Sequence, residues 1–377
     1  MTMLLGNALI CLPDSLVHGA LVVEGGVIAA VAPGGGLLAG AIDCAGDYLL
    51  PGAIDLHTDN LERQVEPRAG ARWPARSAFL AHDAQCAAAG ITTVLDALCV
   101  GDLGFDEDRQ KTCLDGIADL DALAPTGLLK AQHYLHLRCE LPAVGMLALL
   151  DRLADHKALR MVSLMDHTPG SGQYGDIERY KRMRARDGEA AAETERRIAA
   201  LQAQREALRE RHRLGLLARL RGRSPVVASH DDRTEAEIAE NLRDGIGISE
   251  FPVTEAAARA ARLGGMAIIA GAPNVVRGGS HSGNVSVLDL LRLGLVDALA
   301  SDYVPGSLIE AAFLAAQAAE IGLPAAVRMI SAAPARIAGF ADRGRIAPGL
   351  RADLVRVRVH DGVPVLRAVY CAGERVA

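Results

Sequence analysis

The sequence has few aromatic residues and no pair of cysteines spaced as CxxC. Aromatic residues make up 3% of the 377 residues and hydrophobic residues make up 50%, so a core must be built mainly from Ala, Val, Leu and Ile. The seven cysteines are scattered and odd in number, which argues against a disulfide framework or a zinc ribbon. This pattern fits buried thiols in a reducing compartment, and we expect a cytoplasmic protein.

Three further absences exclude classes of protein. No uninterrupted apolar run reaches the length that spans a bilayer, and the apolar N-terminus lacks a basic leader, so it is interpreted as a strand and not as a signal peptide. The formal net charge of −6 gives no general attraction to nucleic acid or to an anionic membrane. The absence of a GxxxxGK[ST] motif argues against a P-loop nucleotide hydrolase.

Short apolar runs that alternate with Ala-rich segments predict the fold. Eight candidate strands occur in the order AIDLHTD, ITTVLDAL, LLKAQHYLHLR, MVSLMDH, PVVASHDD, GIGISEF, MAIIAGAP and ALASDY. Eight strand–helix units predict a (β/α)8 TIM-like barrel over residues 53–340, although a doubly wound sheet gives a similar alternation. Gly- and Pro-broken strands at both ends predict one small β-sandwich-like domain formed from residues 1–52 and 341–377.

One long charged segment, residues 176–223, interrupts this alternation. Its helical period predicts a helical insertion, interpreted as a solvated hairpin. A lid or an oligomer contact is a second interpretation that is compatible with the first. The sequence does not determine the oligomeric state, and a homo-oligomer is compatible with it.

Polar residues occupy the predicted C-terminal ends of the strands, where the chemistry of a (β/α)8 barrel takes place. His57 and Asp59 are two residues apart in IDLHTDNLE, so on a strand they face the same side. The other polar residues at predicted strand ends are Asp96, Glu140, His167, His230, Glu250, Asn274 and Asp302. A single such histidine is more often structural than a ligand, but together with the carboxylates these histidines predict a site for a divalent metal ion.

Several motifs resemble the amidohydrolase superfamily, namely LPGAIDLHTD, the strand-end histidines, the late SD and the tail SAAPARIAG…GRIAPGLRADLVRV. More narrowly, IDLHTDNLE, HLRCE, SLMDHTPGSGQY, ASHDD, PNVVRGGSHSGNVS and SDYVPGSL resemble the PhnM family over about residues 50–310. The resemblance implies a hydrolase of phosphonate metabolism that cleaves α-D-ribose 1-methylphosphonate 5-triphosphate to the 5-phosphate and diphosphate. It also implies one or two divalent ions, with zinc favoured over iron, manganese or nickel.

The resemblance implies metal ligands at His57, Asp59, Glu140, His167, His230 and Asp302. It makes Asp302 the candidate catalytic residue that accepts a proton from water. The first strand carries HxD where most of the superfamily carries HxH, and no bridging lysine is evident. Glu140 is able to bridge because a carboxylate has two oxygens, and His136 and Asp166 are alternatives.

The RGGSHSGN segment, residues 277–284, is the predicted phosphate-binding loop. Its glycines let backbone N–H groups approach oxygen atoms closely, and an arginine fork binds phosphate strongly. The candidate substrate contacts are Arg277, Gly279, Ser280, His281, Ser282, Asn284, Arg63 and Tyr303. Gln173 and Tyr174 are weaker candidates for contacts with the ribose or the alkyl phosphonate, and a flexible surface loop is the alternative interpretation of RGGSHSGN.

Two other functions are compatible with the same residues. A C–N hydrolase of the superfamily, such as a deaminase or a deacetylase, uses a similar metal site but leaves RGGSHSGN unexplained. A barrel retained for binding or assembly is the other alternative, and loss of metal ligands would indicate it. Every proposed ligand position here holds a competent residue, so a metal-dependent hydrolase of a small phosphorylated molecule is the favoured interpretation.

Overall fold

The computed structural model describes residues 2–34, 37, 39–104, 108–280 and 283–377. The N-terminal part forms five strands, β1 (Thr2–Cys11), β2 (Leu16–Glu24), β3 (Val27–Pro33), β4 (Ile42–Asp43) and β5 (Tyr48–Pro51). Strands β1, β2 and β3 are antiparallel, whereas β4 and β5 run parallel to β1. The N-terminal part is therefore built into a mixed sheet.

Eight parallel strands follow: β6 (Ala53–Thr58), β7 (Ile91–Val100), β8 (Gln132–Glu140), β9 (Leu159–Met165), β10 (Val226–His230), β11 (Ile248–Glu250), β12 (Ala267–Gly271) and β13 (Ala298–Ala300). Each strand pairs with the next in chain order. The barrel closes where the Asp302 N–H donates to the His57 backbone oxygen (2.9 Å) and the Asp59 N–H donates to the Asp302 backbone oxygen (2.8 Å). The predicted barrel is confirmed, and the doubly wound sheet is excluded because that fold has a reversed strand order and no closure.

The helices of the described residues are α1 (Asn60–Val65), α2 (Ala75–Ala88), α3 (Arg109–Leu123), α4 (Met146–Leu153), α5 (Ile177–Arg186), α6 (Ala191–Leu220), α7 (Glu235–Arg243), α8 (Glu255–Leu263), α9 (Ala272–Arg277), α10 (Val287–Arg292), α11 (Ser307–Ala318), α12 (Leu323–Arg328) and α13 (Ala332–Ile337). Leu, Ile, Val, Ala and Cys side chains dominate the buried clusters, with few aromatic rings. Within the described ranges, none of the helices combines the length and apolar character needed to cross a bilayer.

The C-terminal strands are β14 (Leu354–His360), β15 (Val363–Cys371) and β16 (Glu374–Arg375). Strand β14 pairs antiparallel with β5, which joins both ends of the chain in one mixed sheet. The prediction that both termini build one small β unit is confirmed. The boundaries of that unit at residues 52 and 341 stay predictions.

The insertion consists of α5 and α6, and side chains of α6 form polar and apolar contacts with the barrel. Arg205 pairs with Asp166 at 2.6 Å, beyond the end of β9. The Nδ1 atom of His212 donates to the backbone oxygen of Leu141 at 2.8 Å. Leu216 of the same helix is fully buried. These contacts hold the insertion beside the C-terminal ends of β8 and β9.

A buried polar network lies between α2, β7 and β8. The Asp96 carboxylate contacts Nε2 of His82 at 2.7 Å and Nδ1 of His133 at 3.0 Å, and Nε2 of His133 lies 3.2 Å from Asp83. The placement of Asp96 at a strand end was wrong, because β7 continues to Val100. Both ring nitrogens of His82 and of His133 have hydrogen-bond partners, so neither imidazole has a nitrogen left for a metal ion, and we interpret the network as structural.

Replacing Asp96 by Asn should lower the free energy of unfolding by about 3 kcal/mol. The amide has one acceptor oxygen where the carboxylate serves two imidazoles. Urea unfolding followed by circular dichroism measures the change. Asp121→Asn is the matched control, because Asp121 forms an exposed pair with His156 that should contribute less than about 1 kcal/mol.

The effect of Asp96→Asn should depend on pH. Burial alone would lower the pKa of His133, but Asp96 and Asp83 outweigh it and raise that pKa to about 9. The stabilisation is therefore complete below about pH 6.5, the ordinary histidine value, and is lost as pH rises through about 9. An equal difference between wild type and variant at pH 6 and pH 9.5 would contradict a protonated His133.

Candidate metal centre

Five of the predicted ligands line one cavity of about 310 Å³ at the C-terminal ends of the barrel strands. His57 and Asp59 stand at the end of β6, and His230 is the last residue of β10. His167 and Asp302 each follow the last residue of their strand by two positions. The barrel therefore brings together residues that are up to 245 positions apart in the sequence.

Buried carboxylates orient the three imidazoles of this cavity. Glu250 contacts Nδ1 of His57 at 2.9 Å with one oxygen and Nδ1 of His230 at 2.7 Å with the other. Glu140 contacts Nδ1 of His167 at 2.9 Å. Among the described residues, the Nε2 atoms of His57 and His167 are buried and have no hydrogen-bond partner. A carboxylate on one ring nitrogen and an unpaired second nitrogen is the arrangement found at protein metal sites.

Besides the contacts of Glu250 with His57 and His230, donor atoms at this cavity form two neighbouring groups, each with its atoms within 4.8 Å of one another. One group consists of His57, Asp59 and Asp302, and the other consists of His167, His230 and Asp231. The rings of His57 and His230 stack with centroids 5.6 Å apart, so the groups adjoin. Imidazole nitrogens and carboxylate oxygens suit divalent first-row metals. These buried clusters are consistent with a metal-binding amidohydrolase site.

The carboxylates make the cavity attractive to a cation. Burial disfavours a proton on His57, but Glu250 and Asp59 outweigh it and raise the pKa of His57 to about 10. Burial would raise the pKa of Asp59, but Arg138 and His57 hold it well below its usual range, so Asp59 is ionised. Burial and the charge of Asp59 raise the pKa of Asp302 to about 6. The negative charges of Glu250 and Asp59 that hold a proton on His57 also favour the binding of a metal cation.

The backbone bends sharply at two of the acidic residues. Asp231 and Asp302 have φ angles of 58° and 55°, in the left-handed region that residues with a Cβ seldom adopt. Asp tolerates this region better than β-branched residues do. Both residues follow a barrel strand, so the turn ends the strand and leaves the carboxylate at the cavity wall.

Glu140 has a different environment from the other predicted ligands. One oxygen accepts from the backbone N–H of His167 and the other contacts Nδ1 of the same residue, both at 2.9 Å. Glu140 does not belong to either group of donor atoms, and it is buried beneath His167. Its role as a metal ligand stays a prediction, and the geometry favours a positioning role for this carboxylate.

The two alternatives to these ligands have partners elsewhere. The Nδ1 atom of His136 donates to the backbone oxygen of Leu56, and Nε2 contacts the hydroxyl of Ser163. Burial lowers the pKa of His136 to about 3, so its ring is neutral. Asp166 pairs with Arg205 of the insertion. Neither residue belongs to the two groups of donor atoms.

Most of the predicted substrate contacts line the same cavity: Arg277, Gly279, Ser280, Asn284 and Tyr303. Gln173 and Tyr174 line it as well. His281 and Ser282 lie outside the described residues. Arg63 is not among the lining residues; its Nη1 atom donates to the backbone oxygen of Tyr303 at 2.6 Å. Arg63 therefore supports the wall of the cavity.

Sequence reasoning missed two arginines of the cavity, Arg109 and Arg138. The Nη1 atom of Arg138 donates to Asp59 at 2.7 Å. Arg138 precedes Glu140 by two positions on β8, so the period of a strand indicated that both share a face. Arg109 forms a two-point contact with Glu62. No local pattern indicated that Arg109 belongs to the cavity, because Arg109 is the first residue of α3 and does not lie on a barrel strand.

A curated relative decides the family. The alpha-D-ribose 1-methylphosphonate 5-triphosphate diphosphatase of Escherichia coli strain K12 is 41% identical over 381 residues, which cover 99% of this chain and 100% of that protein. The chain belongs to the PhnM family. A scan against protein-family models finds no match, so PhnM membership depends on this relative along the full length.

Solved structures similar to the chain share its fold. They include N-isopropylammelide isopropylaminohydrolase of Burkholderia multivorans (TM-score 0.62, 19% identity, 100% of this chain and 98% of that chain). They also include dihydropyrimidinase of Brevibacillus agri (0.65, 14%, 100% and 95%) and N-acetylglucosamine-6-phosphate deacetylase of Pasteurella multocida (0.62, 15%, 100% and 99%). The expected amidohydrolase superfamily fold is thus confirmed for this PhnM member.

Replacing Glu250 by Gln should lower the affinity for zinc by about 10- to 100-fold. The amide has one acceptor oxygen for two imidazole Nδ1–H groups, so one of His57 and His230 loses its orienting contact. Zinc affinity is measured by competition with a chromophoric chelator. The fold should persist, because the side chain keeps its size, and thermal unfolding checks this.

Glu255→Gln is the control for this experiment. Glu255 is an exposed carboxylate on α8 that pairs with Arg259, so its loss should leave zinc affinity unchanged. If Glu250→Gln bound zinc as tightly as this control, Glu250 would not orient the ligands.

Proposed function

We propose that this PhnM-family member hydrolyses α-D-ribose 1-methylphosphonate 5-triphosphate to the 5-phosphate and diphosphate, with one or two divalent ions of which zinc is favoured. The observation that carries this proposal is a single cavity lined both by oriented imidazoles and carboxylates and by the cationic end of the predicted phosphate loop. The printed activity of the E. coli relative supports the choice of substrate.

The metal would be held by His57, Asp59, His167, His230 and Asp302. A bound divalent ion lowers the pKa of water and neutralises phosphoryl charge. Asp302 is the base, because its carboxylate lines the cavity beside the other predicted ligands and is able to accept the proton of the attacking water.

Cationic side chains bind the polyanionic part of the substrate. Arg109, Arg138 and Arg277 line the cavity, and guanidinium groups form paired, charge-assisted hydrogen bonds with phosphate. Ser280 and Asn284 line it too and supply neutral donors. Among the described residues, the Nε atom of Arg138 is buried without a hydrogen-bond partner, so that arginine retains a donor beyond its contact with Asp59.

The guanidinium groups favour this activity over C–N hydrolysis. A deaminase or deacetylase reacts at a neutral C–N bond, so its reacting centre has no phosphoryl charge for three surrounding arginines to neutralise. The similarity to structures of C–N hydrolases is below 20% identity and concerns the fold. The two chemistries are separable by their products.

The metal-loaded protein should release diphosphate from the ribosyl 5-triphosphate, and chelation should abolish the release until metal is restored. Asp302→Asn should lower kcat by about 10²- to 10⁴-fold, because the amide cannot accept the proton. A coupled pyrophosphate assay measures both. Asp289→Asn, on the exposed face of α10, is the control and should retain full activity.

Two results would contradict the proposed activity. Absence of diphosphate with metal bound at full stoichiometry is the first. Release of ammonia or acetate from an amine or amide substrate, without any requirement for phosphate, is the second and would favour a C–N hydrolase.

Arg277→Ala should raise KM for the triphosphate by about 10- to 100-fold, the size of one or two lost charge-assisted hydrogen bonds. Arg277→Lys should recover part of the loss, because lysine keeps the charge but not the fork. The control is Arg292→Ala, which removes an exposed arginine paired with Asp289. An unchanged KM for Arg277→Ala would show that this residue does not bind the phosphate groups of the substrate.

A further inference from the structure

A second cavity of about 580 Å³ adjoins the metal cavity on the side of the insertion. We call it the insertion groove, and its polar lining consists chiefly of Tyr174, Asp176, Arg179, Tyr180, Arg182 and Arg186. Gln173 and Tyr174 line both cavities. The two spaces are therefore neighbours that share a wall.

The groove is cationic. Arg179, Arg182 and Arg186 recur on α5 with spacings of three and four, which places them on one helical face. The nearest carboxylate to Arg182 is that of Asp176, at 4.0 Å, and Arg186 has no ion-pair partner in the described part of the chain. Arg205 of α6, by contrast, is paired with an acidic residue at 2.6 Å.

The insertion carries an excess of positive charge. Residues 176–223 contain 14 Arg and Lys against eight Asp and Glu, whereas the whole chain has a net charge of −6. Arg182 and Arg186 of α5 contribute part of this charge to the lining of the groove. A local cationic patch on an acidic protein attracts anions at close range.

Aromatic rings connect the groove to the metal centre. The ring of Tyr174 lies edge-on to His167 with centroids 5.9 Å apart, and edge-on to Tyr180 at 5.5 Å. Tyr180 is buried, and its hydroxyl has no hydrogen-bond partner among the described residues. The Tyr180 hydroxyl is therefore an unpartnered polar group in the wall of the groove. Only the side chain of Tyr174 lies between Tyr180 and His167, a predicted metal ligand.

The loop between the two cavities is firmly held. The Gly170 N–H donates to the backbone oxygen of Tyr174 at 2.9 Å. Arg233 donates to the backbone oxygen of Gly172 at 3.2 Å, and its guanidinium group packs against Gly175. The distance from the groove to the metal centre is therefore set by the fold.

We propose that the insertion groove is a second anion-binding site that holds a phosphorus-containing group of the substrate outside the metal cavity. This proposal rests on the proposed function. The substrate has anionic groups at both ends, a triphosphate and a methylphosphonate, and only one phosphorus centre reacts. Arginine forks bind phosphoryl and phosphonyl oxygens alike, so the group is either the outer diphosphate or the methylphosphonate.

The test is the double variant Arg182→Ala/Arg186→Ala. Both residues are exposed on α5, so the fold should be unaffected. We expect KM for the ribosyl triphosphate to rise by about tenfold or more, with kcat changed less than KM. The control is Arg196→Ala/Arg211→Ala, which removes the same charge from exposed positions of α6 outside the groove. A general electrostatic effect would change both double variants equally and would overturn the proposal.

Binding of small anions identifies the bound group without relying on catalysis. Inorganic pyrophosphate and methylphosphonate are titrated separately into the zinc-loaded wild type and both double variants, and ³¹P NMR follows binding. Weaker binding of pyrophosphate in the groove variant alone assigns the groove to the outer diphosphate. Weaker binding of methylphosphonate alone assigns it to the other end. Unchanged binding of both anions together with an unchanged KM would overturn the site.

The same titrations separate this proposal from the proposed activity. If the wild type released no diphosphate but bound pyrophosphate through Arg182 and Arg186, the activity would be wrong and the anion site would stand. If diphosphate release were normal and equally fast in the groove variant at low substrate concentration, the activity would stand and the groove proposal would fail.

Discussion

The buried carboxylate of Glu250 is the constraint on which the candidate metal centre depends. An ionised carboxylate without partners inside a protein costs several kcal/mol. Glu250 is fully buried, yet it contacts His57, His230 and the Ser163 hydroxyl. Burial opposes ionisation, but His57 and the other contacts hold the pKa of Glu250 well below its usual range. The requirement to satisfy this charge fixes two imidazoles from β6 and β10, and their second nitrogens are left for a cation.

Closure of the barrel and assembly of the site use the same residues. The backbone of Asp302 bonds to both His57 and Asp59, and the side chains of all three form one group of donor atoms. The buried Asp55 reinforces this seam by accepting from the Ser301 N–H at 3.0 Å. A disturbance of the seam between β6 and β13 would therefore displace predicted metal ligands directly, so the stability of the barrel and the geometry of the candidate site are coupled.

Periodicity predicted the fold because buried parallel strands are short apolar runs, and all eight were recognisable. It failed at Asp96, because ITTVLDALCV continues as a strand beyond the aspartate without any turn residue to mark an end. The sequence also could not predict whether Glu140 and Glu250 bind a metal or orient a histidine. A carboxylate that binds a metal and one that orients a histidine have the same local pattern, and only distances between strands separate them. Arg109 lacked even a periodic signal, since it begins α3 and does not lie on a barrel strand.

The aspartate of the HxD motif shows how a metal site can be adapted to a polyanion. Relative to histidine, Asp59 adds a negative charge that would repel phosphate. Arg138 lies 2.7 Å away and compensates that charge, while its field keeps Asp59 ionised and able to bind a metal. An arginine on the adjacent barrel wall thus permits a carboxylate ligand without making the cavity more repulsive to phosphate. The remaining cations then lie around the donor atoms, with Arg109 and Arg277 lining the cavity and the arginines of α5 lining the adjoining groove.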